Sequence, residues 1–350
     1  MDIAAIVFNI THNVIKIKQN HIVNLSAEIH NGYNLDDPLI ELPMLEEFAI
    51  AIRKASAFPI LDIASENLRK RVFSEFSNET IALPSHYYEK WVSLADIFID
   101  FSWKSNPYFM QDIPDYYLNR YNHSADDMWH QIKKQGKKVV LMGLPTKALA
   151  KYYQLDFSIL NKLYLEALGI NYHDLKKQTF IIDNMLKDNE VWSLMTDDRS
   201  LQISLNMEDS LIFNGEFFNR CYIVLPTGKI EKRINHKLLD GILFAKHIYY
   251  ENQCIKDVQI IFEKGKIAAV DFLCRNGDNF LMSLLSNNIQ EAHLVVGMNP
   301  NLKTPTGYYL YDECVLKNCN IRLLINNKII SLANPQAKLY KQDINILSEV

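Results

Sequence analysis

The chain has 350 residues, of which 48% are hydrophobic and 22% are charged, and its formal net charge is -4. This length exceeds what one ordinary core needs and suits two domains. The balance of apolar and charged residues is typical of a globular chain. The sequence has no block of five or more like charges, which argues against a nucleic-acid duplex or an acidic membrane surface as a partner.

Seven of the first eight residues are apolar, but the segment lacks the basic region and the cleavage pattern of a signal peptide. No stretch is long enough to span a membrane as a helix. The five cysteines are odd in number, lie in the second half of the chain and lack the paired spacing of a zinc knuckle. We therefore expect a cytoplasmic protein with reduced thiols.

Strand-like apolar runs alternate with longer amphipathic patterns over residues 1–200, which is typical of parallel strands joined by helices. The predicted strands are 22–29, 58–63, 95–101 and 138–142. The predicted helices are 46–57, 66–76, 87–94, 147–153, 157–168 and 172–187. An open α/β sheet is expected for this first domain.

After residue 192 the pattern changes to short strand-like runs separated by turn residues. The predicted strands are 201–206, 210–214, 222–225, 258–263, 266–272 and 293–296. The segment 263–266 predicts a hairpin turn, and one helix is predicted at 278–288. The expected fold class is α/β, with the open sheet followed by a β-rich α+β domain over residues 201–350. Gly143-Leu144-Pro145 lacks the spacing and the lysine of a phosphate-binding loop.

Three segments of the second half follow one another in a recognisable order. They are Leu225-Pro226-Thr227-Gly228-Lys229-Ile230, Gln290-Glu291-Ala292-His293-Leu294-Val295 with the turn Gly297-Met298-Asn299-Pro300, and Tyr311-Asp312-Glu313-Cys314-Val315-Leu316. Together they resemble the thermophilic metalloaminopeptidases of the aminopeptidase T and aminopeptidase S type, and residues 165–175 resemble the same family more weakly. The resemblance implies an α/β domain followed by a β-rich domain with a peptidase cleft, usually in a homodimer.

The chemistry of that family uses two divalent metals held by five ligands. The resemblance places Lys229 at the first ligand position, Glu291 at the second and Asn320 at the third. The last two ligands, a His-x-Asp pair, have no counterpart because residues 321–350 contain no histidine. A lysine ammonium cannot ligate a metal, and one carboxylate beside it would not hold one. We therefore expect no metal cofactor and no catalytic residue, which favours a pseudoenzyme over an active peptidase.

Two arrangements remain open for the carboxylate that is kept. Glu291 and His293 are two residues apart on a predicted strand and share a face. With Glu231 and His236 they could form a substitute metal site. The alternative is that His293 and His236 are ordinary polar positions, and that Glu291 is a relic or forms an ion pair with Lys229, in which a cation replaces the lost metal charge. The candidates for the peptide cleft are Lys229, Glu291, His293, Asn320 and Glu313.

Other chemistry has little support. No serine lies in a Gly-x-Ser-x-Gly elbow, and Cys314 and Cys319 are predicted to be buried, unreactive thiols. Residues 87–129 are rich in aromatic side chains. Core packing accounts for most of them, with a peptide groove between the domains as the alternative for the rest.

The leading hypothesis is a non-catalytic peptide-binding protein, because a peptidase cleft without its metals keeps the shape for an extended peptide. Some proteins that resemble this family without its metal ligands hold precursor peptides for tailoring enzymes in ribosomal-peptide (RiPP) natural-product pathways. Three alternatives stay open. They are a metal-dependent aminopeptidase with a rearranged metal site, a metal-dependent ring-cleaving oxygenase, and a structural partner that regulates an active paralogue.

Overall fold

The structure is a computed structural model that describes residues 2–29, 41–65, 85–103, 113–187, 191–206, 210–218, 220–250, 253–272, 288–334 and 337–349, with residues 68, 71, 72, 75 and 208. The chain divides into two compact units. The first contains Met1–Tyr152, Asp156–Gly169 and Gly215–Pro226, and the second contains Tyr153–Leu155, Ile170–Asn214 and Thr227–Val350. The division differs from the predicted boundary at residue 200 in two ways. Residues 170–200 belong to the second unit, and the segment 215–226 returns to the first unit, where it supplies a strand of the sheet.

The helices follow the amphipathic patterns of the sequence. They are α1 (Ile3–Asn9), α2 (Glu41–Lys54), α3 (Ser85–Ser93), α4 (Asp115–Lys134), α5 (Lys147–Tyr152), α6 (Phe157–Leu168), α7 (Tyr172–Met185) and α8 (Tyr309–Asp312). A π-helical segment, Ile10–Ile15, continues α1, and His236–Leu238 and Ile346–Glu349 form 3-10 turns. Of the helices that the structure describes, none is both long enough and apolar enough to span a membrane.

Side-chain caps explain why two predicted helices begin where they do. The Asp156 carboxylate accepts a hydrogen bond from the Ile159 backbone N–H at 3.0 Å at the start of α6. Asn171 caps α7 in the same way through His173. Such caps satisfy backbone donors that have no partner inside the helix. The predictions at 157–168 and 172–187 are confirmed. The predicted helix at 66–76 is helical at its four described residues, 68, 71, 72 and 75, whereas the one at 278–288 lies outside the described residues except for residue 288.

The strands number seventeen in the described part of the chain. They are β1 (Ile22–Ile29), β2 (Phe58–Ser65), β3 (Ile97–Asp100), β4 (Lys138–Met142), β5 (Val191–Thr196), β6 (Arg199–Ser204), β7 (Leu211–Phe213), β8 (Tyr222–Leu225), β9 (Lys229–Ile234), β10 (Asp240–Tyr250), β11 (Gln253–Glu263), β12 (Lys266–Phe272), β13 (Ile289–Gly297), β14 (Cys319–Ile325), β15 (Lys328–Asn334), β16 (Lys338–Lys341) and β17 (Ile344–Asn345).

The first unit contains a parallel sheet with the strand order β2-β1-β3-β4-β8. Three of the four residues of β3 and four of the five residues of β4 are buried, as expected for a parallel sheet covered by helices. The strand at 222–225 was predicted in the second domain. That assignment was wrong, because β8 pairs in parallel with β4.

The second unit contains a twelve-stranded antiparallel sheet. Ten of its strands follow the order β17-β16-β5-β6-β10-β15-β14-β13-β9-β7, and the other two branch from it, since β11 pairs with β10 and β12 pairs with β11. The predicted turn at 263–266 joins β11 to β12, with Lys264 and Gly265 at φ 47° and 79°. Positive φ at both central residues is typical of a tight hairpin. The predicted fold class, an open α/β sheet followed by a β-rich domain, is confirmed.

Two glycines allow the segment that follows β13 to lie close against the sheet. Gly228 has φ +119°, and a Cβ there would lie 2.8 Å from the Asn299 backbone nitrogen. A Cβ at Gly297 would overlap the carbonyl oxygen of Val315. Both overlaps involve backbone atoms, which cannot rotate away as a flexible side chain can. The path of residues 299–318 therefore depends on the missing side chains.

We predict that Gly297→Ala lowers the free energy of unfolding by about 2 kcal/mol or more, since an overpacked site must displace the backbone. Urea unfolding measures the change. Gly143→Ala is the control, because a Cβ there would lie 3.4 Å from its nearest neighbour, the Leu225 carbonyl oxygen. Equal stability of the two variants would contradict the prediction.

Candidate functional site

Strands β9, β13, β14 and β15 direct polar side chains to one face of the antiparallel sheet. Val295 of β13 lies opposite Glu231 of β9 and opposite Asn320 of β14. Directly opposed residues, and every second residue along a strand, point to the same face. The polar residues that share this face are Lys229, Glu231, Arg233, Glu291, His293, Asn320, Arg322 and Ser331.

Four charged side chains form a buried group that we call the charge quartet: Lys229, Glu231, Glu313 and Arg322. The Lys229 ammonium lies 2.7 Å from Glu313 Oε2 and 3.0 Å from Glu231 Oε1. The Arg322 guanidinium donates to Glu231 Oε2 at 2.8 Å and to both Glu313 oxygens at 2.6 and 3.1 Å. Each cation thus binds both carboxylates, and the quartet has no net charge.

The quartet is almost fully withdrawn from solvent. The exposed fractions of the side chains are 12% for Lys229, 6% for Glu231, 1% for Glu313 and 18% for Arg322. The Phe213 ring lies 4.8 Å from the Lys229 ammonium. The attraction between opposite charges is stronger in such surroundings than in water, but so is the cost of leaving one of them unpaired.

Electrostatics keeps all four groups ionised. Burial alone would raise the pKa of Glu313, but the Lys229 and Arg322 cations lower it to about 2. The same two cations outweigh the burial of Glu231 and lower its pKa. Burial alone would lower the pKa values of Lys229 and Arg322, yet the two carboxylates raise both above their ordinary values.

Glu313 belongs to the segment 299–318. The adjacent residue in that segment, Asp312, holds it in place. The buried Asp312 carboxylate accepts hydrogen bonds from the Thr306 backbone and hydroxyl, from the Gly307 N–H and from the Tyr249 hydroxyl of β10. Burial raises the pKa of Asp312, and these donors oppose that effect. Two adjacent acidic residues therefore attach one segment to different strands of the sheet.

Glu291 does not pair with Lys229, so that prediction was wrong. Lys229 lies opposite Gly297, and Glu291 is six residues further along β13, which corresponds to about 20 Å in a strand. The Glu291 carboxylate is 3.4 Å from Arg233 and 3.5 Å from His293. Its side chain is 42% exposed. Register rather than charge separates the two predicted partners.

The substitute metal site is not assembled either. Glu231 belongs to the quartet, whereas Glu291 and His293 lie further along the sheet face. Burial, followed by Lys237 and Arg233, lowers the pKa of His236. Within the residues that the structure describes, no three His, Cys, Asp or Glu side chains are placed to hold a metal ion.

Asn320 lies in β14, two residues before Arg322. Its side chain is fully buried between Val295 and Ala333, and neither amide atom has a hydrogen-bond partner in the described residues. Of the five cleft candidates, the structure thus joins Lys229 to Glu313 and Glu291 to His293. Asn320 shares their face without a hydrogen bond to any of them.

Cys314 and Cys319 are buried free thiols, as predicted. Burial raises the pKa of each to about 12, which leaves both protonated near neutral pH. A protonated thiol is a poor nucleophile and a poor metal ligand. Several aromatic residues of the segment 87–129 pack on the core of the first unit, namely Trp91, Trp103 and Trp129. Tyr108 and Phe109 lie outside the described residues.

Sequence reasoning missed Arg322 and assigned Glu231 to a different site. One signal could have found them. Lys229, Glu231 and Arg233 alternate with apolar residues or Lys232 along β9, and Asn320 and Arg322 do so along β14. Alternate charges on two strands that flank a third are expected on a common face.

Comparisons with known proteins support the fold. No protein-family model and no curated protein sequence matches the chain. Wild-type AmpT, the aminopeptidase T of Thermus thermophilus, superposes with a TM-score of 0.65 at 11% identity, over 96% of this chain and 94% of that one. A 2,5-dihydroxypyridine dioxygenase from Pseudomonas putida KT2440 superposes with a TM-score of 0.61 at 11% identity, over 98% and 95% of the two chains. The chain therefore has an aminopeptidase T-like fold over nearly its whole length.

Proposed function

We propose that this protein binds peptide without cutting it, on an aminopeptidase T-like fold. The observation that carries the proposal is the position of Lys229. The resemblance requires a metal-ligating glutamate there, and the lysine ammonium is instead bound by Glu231 and Glu313. A permanent cation thus takes the place that the metal-dependent reaction needs for a ligand.

The charges around Lys229 support the same proposal. Glu231 and Glu313 are each already neutralised by two cations, so a divalent metal would have to compete with Lys229 and Arg322 for the carboxylates. The ammonium would also repel it. Binding of a metal would break a buried ion-pair group, which typically costs several kcal/mol.

The peptide part of the proposal comes from the aminopeptidase neighbour and from the sheet face itself. Side chains that alternate along the strands of this face suit contacts with the side chains of an extended peptide. Within the proposal the ligand is a peptide or precursor peptide held for tailoring enzymes, and the protein is a homodimer. Among the residues that the structure describes, no feature of the site favours the chemistry of the dioxygenase neighbour in particular.

We predict that the purified protein retains no stoichiometric zinc, manganese or cobalt after incubation with an excess of each ion and removal of loosely bound ion. Elemental analysis measures the content. Glu291→Ala/His293→Ala serves as the matched control, because these residues carry the remaining metal-binding chemistry of the face. About one metal per chain in the wild-type protein, lost in that variant, would overturn the proposal in favour of a metalloenzyme.

Glu313→Gln should lower the free energy of unfolding at pH 7 by about 3 kcal/mol or more, because it leaves two buried cations with one carboxylate. Glu263→Gln, at an exposed glutamate in the second unit, is the control and should change it by less than about 0.5 kcal/mol. Chemical denaturation followed by fluorescence provides the measurement. If the two variants were equally stable, the quartet would not hold the segment to the sheet.

The same variant tests the pH dependence. A carboxyl whose folded pKa is about 2, against about 4.3 in the unfolded chain, stabilises the fold above the unfolded pKa. That contribution, on the order of 3 kcal/mol, is lost as the pH falls from about 5 towards 2. Stability curves over this range should be steep for the wild-type protein and Glu263→Gln, and shallower for Glu313→Gln. Parallel curves would contradict the depressed pKa.

Peptide binding itself can be tested with a random twelve-residue phage library panned on the wild-type protein. We expect the selected peptides to share a consensus sequence. His293→Ala should reduce their affinity about tenfold, because the His293 side chain is 23% exposed and can contribute a major contact to a bound peptide. Asp271→Ala, at an exposed residue of β12, should leave it unchanged. Mass spectrometry of the selected peptide should find its first residue intact. Enrichment of no peptide, or release of that residue, would overturn the proposal.

A further inference from the structure

The amino-terminal edge of the parallel sheet collects basic residues from distant parts of the chain. Backbone hydrogen bonds join neighbouring segments along this edge: Asn20 to Ser56 at 2.9 Å, Asp96 to Ile22 at 2.8 Å, Lys138 to Asp96 at 3.3 Å and Val139 to Cys221 at 2.7 Å. The segments concerned are 16–21, 53–57, 93–96, 133–138 and 216–222, which we call the basic edge. They contain nine lysines and arginines and two acidic residues.

This concentration contrasts with the net charge of -4 of the whole chain. Helix ends explain part of it, because Arg53, Lys54, Lys133 and Lys134 occupy the last turns of α2 and α4, where cations are favourable. Lys18 and Lys138 lie outside the helices. Burial lowers the pKa of Lys138, and Lys18 and Lys16 lower it further. These lysines are therefore close enough to repel one another.

Apolar surface lies among these charges. Ala49, Ile50, Arg53 and Lys54 line a shallow groove of about 510 Å³ at the end of α2. The Arg53 guanidinium lies 4.4 Å from the centre of the Phe58 ring, and that ring is 59% exposed. Further along, the Lys138 ammonium lies 5.0 Å from the Phe217 ring. A surface of aliphatic and aromatic groups with cations around it can bind the apolar side chains of a partner as well as its charged groups.

We propose that the basic edge is a docking surface for an acidic polypeptide segment that also carries aliphatic side chains. Carboxylates on such a segment complement the lysines and relieve their mutual repulsion. Its aliphatic side chains match the floor of the groove, Ala49 and Ile50. A nucleic-acid backbone offers phosphates to the lysines but no aliphatic group to that floor.

The proposal does not rest on the peptide site of the antiparallel sheet. The basic edge lies wholly in the first unit, whereas the charge quartet lies wholly in the second. Variants of Lys18 and Lys138 leave the quartet intact, and variants of Glu313 leave the basic edge intact. Loss of one binding activity without the other therefore separates the two proposals.

Fluorescence anisotropy with a labelled peptide of Glu-Glu-Leu repeats tests the docking surface. We expect saturable binding that weakens as salt is raised, and weaker binding of the matched Gln-Gln-Leu peptide. Lys18→Glu/Lys138→Glu should reduce the affinity about tenfold, as two reversed charges at exposed pairs imply. Lys237→Glu/Lys338→Glu changes the net charge equally at exposed lysines of the second unit and should change the affinity less than about twofold.

Thermal melts establish whether both double variants fold. If Lys18→Glu/Lys138→Glu does not fold, Lys18→Ala/Lys138→Ala takes its place in the binding measurement. The proposal is overturned if the Glu-Glu-Leu peptide does not bind at low salt, if the two double variants lose equal affinity, or if the glutamine peptide binds as well. Tighter binding of a DNA duplex than of the acidic peptide, lost in Lys18→Glu/Lys138→Glu, would assign the surface to nucleic acid instead.

Discussion

The charge quartet is the interaction on which the second unit depends. It joins β9, β14 and the segment 299–318 at one point, through side chains that are nearly out of contact with water. Two carboxylates and two cations satisfy one another, so removal of any member leaves a buried charge without full compensation. The four residues come from three parts of the chain, and each is stable in its buried position only while the other three are present.

The quartet in turn depends on features that carry no charge. Glu313 reaches Lys229 because Gly297 lets the backbone of Cys314 and Val315 approach the end of β13. Asp312 fixes the same segment on its other side through Tyr249 of β10. Small residues determine how close the segment comes, and the adjacent acidic pair determines where it attaches. Packing and electrostatics therefore specify the same path of the chain.

Much of the fold could be predicted from local patterns. Strands β1, β4, β8 and β12 and helix α6 match the predicted bounds, because apolar periodicity and capping residues are local signals. The partner of β8 could not be predicted in that way, since it lies some eighty residues earlier in β4. Strands β9, β10, β14 and β15 of the second unit contain several charged or polar residues, which weakens the apolar signal of a strand.

Two of the four quartet residues, Lys229 and Glu313, could be predicted from the sequence, but their pairing could not. Motif order placed Lys229 and Glu313 in one functional region, and the structure brings them within 2.7 Å. The choice of Glu291 as the partner failed because it used charge alone, whereas strand register places Glu291 at the other end of β13. A slip of two residues in the pairing of β9 with β13 would keep every side chain on its face and yet separate Lys229 and Glu231 from Glu313 and Arg322. Such a slip would leave buried charges unpaired, so the quartet specifies register to a degree that an equally buried apolar group would not.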